Sequence, residues 1–158
     1  MKRVLVAGVG NIFLGDDGFG VEVANRLVKC ELPDWAAVGD YGISGMHLAY
    51  DLADGVQTAI LIDAVPRGEE PGTVYVIEPE WRSVQSTFFD GHGMQPDVVL
   101  GLLDSLGGQV SKVLVVGCEP ASTDYGIGLS APVTAAVEVA VQLVLKLIGE
   151  LEQAGDME

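Results

Sequence analysis

Cysteine, histidine and positive charge are all scarce in this chain, whose 158 residues include two cysteines, two histidines and eight Lys+Arg. Cys30 and Cys118 are too few for a disulfide framework and lack the Cys-x-x-Cys spacing of a thiolate zinc site. A reducing cytoplasm is therefore the expected compartment. Against the eight bases stand 23 acids, a formal charge of −15, which opposes a nonspecific hold on nucleic acid or on an anionic membrane surface. No linker, repeat or low-complexity stretch divides the sequence. With 49% hydrophobic residues, the expectation is one domain over 1–158 with a substantial buried core.

Apolar runs of membrane-spanning length without polar interruption are lacking as well. Lys2 and Arg3 precede an apolar run that resembles a signal peptide, but Gly8, Gly10 and Asn11 break it early, so it reads as a strand. From Ala131 to Ile148 the chain is apolar enough to suggest a membrane span. Thr134, Glu138, Gln142, Lys146 and Glu150 nevertheless recur every four residues, which makes it an amphipathic surface helix. Ser130 is placed to cap that helix, with Pro132 in its first turn.

One further absence concerns the opening, Val4 to Asn11, an apolar strand ending in a glycine turn. A dinucleotide fold places Gly-x-Gly-x-x-Gly there so that a pyrophosphate lies against the helix N-terminus, but Gly8 and Gly10 are followed by Phe13. The loop instead brings Asp16 and Asp17, within Gly15-Asp16-Asp17-Gly18-Phe19-Gly20, to the start of a helix over about 17–29. Two carboxylates repel a phosphate and attract a metal ion.

Along the rest of the chain, a short strand precedes Asp40, and Gly42-Ile43-Ser44-Gly45 opens a helix through Met46, Leu48 and Leu52. Thr58 to Ala64 reads as the most buried strand, and Thr73 to Ile77 alternates as an edge or antiparallel strand. An irregular segment from Glu78 to Pro96 contains His92. A helix over about 97–106, a strand from Val113 to Val116 and a loop from Gly117 to Gly128 lead to the last helix. The pattern predicts an α/β class fold, a single three-layer α/β/α domain around a mostly parallel sheet.

Loops leaving the carboxyl ends of parallel strands share one edge of such a sheet. That edge would gather Asp16, Asp17, Asp40 to Gly45 and Asp63, and with His92 folded over it the set suits a first-row divalent metal such as nickel or zinc. Simpler roles compete. One of Asp16 and Asp17 serves as helix cap, and the helix dipole keeps a carboxylate there ionised. Asp63 can merely cap a turn, His92 can be a solvated loop residue, and Asp40 can be the ribose-binding acid of a dinucleotide fold. Cys118 lacks a partner that would make it a nucleophile, and His47 reads as structural or exposed.

Taken together, these motifs resemble the hydrogenase maturation proteases, which trim the C-terminus of the large subunit of nickel–iron hydrogenases. The resemblance covers Gly8-Val9-Gly10-Asn11, the glycine–acid turn, Asp40 with Gly42-Ile43-Ser44-Gly45-Met46, Leu61-Ile62-Asp63-Ala64 and Gly91-His92-Gly93-Met94. It implies a mixed, about five-stranded sheet with one antiparallel strand, and a metal-recognition site of Asp17, Asp63 and His92. It also implies nickel that arrives with the large-subunit precursor; three O/N ligands in an open site would hold it only weakly in the free enzyme, and a cytoplasmic monomer is expected. For the chemistry it implies either metal-assisted hydrolysis or an aspartyl-type mechanism in which Asp16 or Asp17 is the base. Two alternatives are a NAD(P)-binding Rossmann-type protein and a noncatalytic nickel-binding maturation chaperone.

Overall fold

The run Val4–Val9 forms the first strand, β1, because six successive apolar residues, three of them β-branched valines, suit an extended backbone buried on both faces. In the computed structural model, which describes residues 3–79 and 96–156, four more strands join it: β2 (Ala36–Gly42), β3 (Thr58–Ala64), β4 (Val74–Ile77) and β5 (Lys112–Cys118). They form one sheet in the order β2-β1-β3-β5-β4, parallel except for β4, which pairs antiparallel with β5. The mixed five-stranded sheet and its single antiparallel strand agree with the sequence reading. His92 and the rest of residues 80–95 lie outside the described residues.

Strand side chains alternate between two cores. On one face Val4, Val6, Ile60, Ile62, Leu114 and Val116 meet Phe19, Val23 and Leu27 of helix α1 (Phe19–Leu27) and the long helix α4 (Ala131–Asp156). On the other, Leu5, Ala7, Ala59, Leu61, Val113 and Val115 meet α2 (Gly45–Ala53) and α3 (Pro96–Ser105). The result is the three-layer arrangement expected.

Helix α4 is long and apolar enough, by length and composition, to cross a membrane. Its Val133, Val137, Ala140, Val141, Val144 and Ile148 are buried against the sheet, while Thr134, Glu138, Gln142, Lys146 and Glu150 are exposed, so the polar stripe marks the outer face of a core helix.

Several boundaries differ from those expected. The first helix does not start at residue 17, because Gly15–Gly18 forms a 3-10 turn and α1 begins at Phe19. Neither Asp16 nor Asp17 caps it: the N-cap is Gly18, without a side-chain hydrogen bond. Val28 is exposed just past the last helical turn. β2 runs through Asp40 rather than ending before it. Ser130 precedes α4 and its carbonyl accepts from Thr134 N, but its hydroxyl donates to Asp16 instead of capping the helix.

Candidate active site

Strand order places a topological switch point between β1 and β3, since the chain leaves β1 for β2 on one side and returns to β3 on the other. The loop after β1 carries Asp17 and the end of β3 carries Asp63, so both acids stand at that crevice.

Glycine makes the first loop possible. Gly10 has φ +133°, and a Cβ there would run into the backbone carbonyl of Asp17, so the 3-10 turn folds back directly onto the end of β1. The space a dinucleotide pyrophosphate needs is thereby filled by protein. The third fingerprint glycine allows close helix–strand packing, a task performed here by Gly20, whose missing Cβ admits the carbonyls of Ile62 and Val9. Asp40 is exposed and its Oδ1 accepts from Gly42 N at 2.9 Å, an Asx turn closing β2. Both observations remove the basis for a nucleotide site.

The two adjacent aspartates have separate surroundings. Asp16 is buried and accepts four hydrogen bonds: from Ala121 N (2.8 Å), Ser122 N (3.2 Å) and Ser130 Oγ (2.9 Å) on Oδ2, and from Ser130 N (2.7 Å) on Oδ1. Burial pushes its pKa up, but the Ser130, Ala121 and Ser122 donors outweigh that and hold the carboxyl below its ordinary value. Its oxygens are occupied in tying the first loop to residues 121–130.

Asp17 is half-buried, and Asn11 N donates to its Oδ2 at 2.8 Å. Burial raises its pKa and the Asn11 hydrogen bond offsets only part of the rise. Burial thus outweighs the ionising influence expected of the helix dipole.

Asp63 is buried at the end of β3. Its Oδ1 accepts from Ala64 N at 2.8 Å, while Oδ2 is buried with no hydrogen-bond partner among the described residues. Its pKa is pushed well above the ordinary value by burial and then by the neighbouring Asp17 charge, with the Ala64 hydrogen bond opposing. A buried carboxylate oxygen without a donor, beside a second carboxylate, fits an incoming cation or a retained proton. Among the described residues no group of three or more His, Cys, Asp or Glu is arranged to hold a metal ion, and the expected third ligand, His92, lies outside them.

The sequence reading missed Glu119. It is buried, and its Oε1 accepts from Arg67 N (2.8 Å) and Glu69 N (3.0 Å), shaping the turn between β3 and β4. Its position just after an apolar strand was the one available signal. Cys118 is buried, and burial, with the Asp16 and Glu119 charges adding, pushes its thiol up to about 12, which suits a core residue and not a nucleophile. His47 is exposed, 3.4 Å from Asp51 and edge-on to Tyr41, away from the acid pair.

Comparison with known proteins adds an independent line. Residues 21–147 match the family model described as hydrogenase maturation protease. A putative hydrogenase maturation protease of Methanocaldococcus jannaschii is 35% identical over 157 residues, covering 96% of this chain and 98% of the relative. Among solved structures, the hydrogenase maturating endopeptidase HybD of Escherichia coli superposes with a TM-score of 0.80 at 33% identity, over 95% of this chain and 93% of that one. A hydrogenase 2 maturation peptidase from a Thaumarchaeota archaeon gives 0.74 at 36% identity, over 94% and 99%. The family-model match begins after the glycine–acid turn, whereas these relatives span nearly the whole chain.

Proposed function

The chain belongs to the hydrogenase maturation protease family and is an endopeptidase, and from that premise we propose that it removes the C-terminal extension of a nickel–iron hydrogenase large-subunit precursor after nickel insertion. Nickel carried by the precursor is the recognition signal, met by Asp17, Asp63 and His92. The observation that carries this reading is the unpartnered, buried Oδ2 of Asp63 next to Asp17. Placing two acids together disfavours their joint ionisation, and a divalent cation relieves that repulsion.

Hydrolysis of a peptide bond needs an activated water, a polarised carbonyl and a protonated leaving amine. Asp17 takes the proton of the attacking water and returns it to the leaving amine. Asn11 N fixes Asp17 Oδ2, leaving the other oxygen to the precursor and the attacking water. Nickel bound to the precursor polarises nearby oxygen ligands as a Lewis acid. Asp16 holds the loop that presents Asp17. The formal charge of −15 disfavours a polyanionic substrate, and the compartment proposed is the reducing cytoplasm, where Cys30 and Cys118 stay as thiols.

Discrimination follows if nickel contributes binding energy that only a loaded precursor supplies. Enzyme incubated with nickel-loaded and nickel-free precursor should shorten only the loaded form, at one site near the C-terminus and without ATP. Asp17→Asn, Asp63→Asn and His92→Gln should each abolish that shortening. Equal cleavage of both precursor forms by mass spectrometry would show that metal is not the gate.

A further inference from the structure

Next to the acid pair, between the loops that follow β1 and β2, lies a cavity of about 230 Å³. Its walls are mostly apolar, with Ile12, Phe13, Val21 and Ile43 facing it, and Asp40 contributing the one acidic group. Ligand pockets for whole small molecules run from roughly 300 to 1,000 Å³, so this one is smaller and of a size for a single large side chain. Phe13 is 58% exposed and Ile43 63%, while Ile12 is 44% exposed. Three large apolar residues standing in solvent around one concavity mark a surface to be covered.

The cavity and the acid site share a wall. Gly10 and Asn11 line the cavity. The same Asn11 N–H holds Asp17 Oδ2, and Gly10 packs against the Asp17 carbonyl. A side chain seated in the cavity therefore rests on the same Gly10–Asn11 segment that holds Asp17.

We propose that this cavity is a specificity pocket, filled by one apolar side chain of the precursor adjacent to the scissile bond. The inference rests on the peptidase reading above and names what that site accepts. The occupant is apolar because the walls are. An acidic side chain is excluded, because the Asp40 carboxylate and a chain of formal charge −15 would both repel it. The pocket thus fixes which peptide bond reaches Asp17, while the metal decides whether a precursor is processed at all.

The test uses full-length enzyme and nickel-loaded precursor. Each apolar residue flanking the scissile bond is changed in turn to Ala and to Asp, and each precursor is processed by wild type, Phe13→Ala and Ile43→Ala. At one position the Ala change should lower kcat/KM roughly 10- to 200-fold, as loss of apolar atoms from a specificity pocket does, and the Asp change should lower it further. The loss should appear mainly in KM. In Phe13→Ala and Ile43→Ala the same precursor change should cost markedly less, since the two partners act on one contact. Both enzyme variants should keep the wild-type melting temperature, because the replaced side chains are exposed. Insensitivity at every flanking position, or purely additive effects, overturns the pocket. Asp17→Asn run in parallel separates the two readings: wild-type processing by that variant overturns the active-site assignment, while the pocket stands or falls on the coupling alone.

Discussion

Asp16 and Asp17 are neighbours in sequence with opposite fates, one carboxyl shifted down and the other up. The difference lies in their donors. Those of Asp16 come from residues 105 to 114 positions away, so a local reading sees two acids and cannot tell which is structural. Asp63 was legible as the acid ending a buried strand at the sheet edge, but its orphaned oxygen follows only from the packing around it. Asp16→Ala leaves three backbone N–H groups and a hydroxyl without their acceptor and should cost about 3 kcal/mol or more, measured by urea unfolding at neutral pH. Because its folded pKa is lowered, the stability Asp16 provides is present above the unfolded pKa. It is lost as pH falls through the folded value, so the gap between wild type and variant should close in acid. Asp63 has the reverse sign. Its folded pKa is raised, so its favourable contribution exists below the unfolded value and disappears as pH rises, leaving a buried-acid penalty at neutral pH. Asp63→Asn keeps an acceptor for Ala64 N and removes that penalty. Its melting temperature at pH 7 should rise by a few degrees, at roughly 2–4 °C per kcal/mol for a chain of this size, while processing is lost. An unchanged or lowered melting temperature would argue against a strained acid site.

At the scale of elements, periodicity was enough for most of the chain. β3 is buried at every position, as its apolar centre Ala59-Ile60-Leu61-Ile62 suggests, and α4 shows its four-residue polar stripe to solvent. What periodicity could not locate was the start of α1. That boundary is set by Gly20 approaching two carbonyls across the β1–β3 crevice and by the 3-10 turn that precedes it, neither of which has a hydrophobic signature. A matched pair of substitutions tests this. Gly20→Ala puts a methyl against the immobile carbonyls of Ile62 and Val9 and should destabilise by about 3 kcal/mol, the upper range for overpacking. Gly149→Ala, on α4 with open space around it, should stabilise by roughly 0.5–1 kcal/mol through helix propensity. Thermal melts followed by circular dichroism would read both, and equal effects would mean that Gly20 is merely a flexible residue.

For the whole molecule, the site could be anticipated because a parallel sheet gathers its carboxyl-end loops on one edge, and this chain concentrates acids there. The charge of −15 adds a general attraction for cations without making a tight site. In the free enzyme the raised pKa of Asp63 means that a divalent ion competes with a proton for the same carboxylate. Isolated protein should therefore bind nickel, zinc or cadmium weakly, more tightly as pH rises, and with proton release. Equilibrium dialysis across a pH series would give the affinities. Calorimetry in buffers of different ionisation enthalpy would detect the released proton. Asp63→Asn should lose both the uptake and its pH dependence, since the group that exchanges proton for metal is gone. A stoichiometric metal still retained after dialysis by an Asp17→Asn, Asp63→Asn double variant would place the metal elsewhere on the protein. The acid pair would then have to act on the peptide without it.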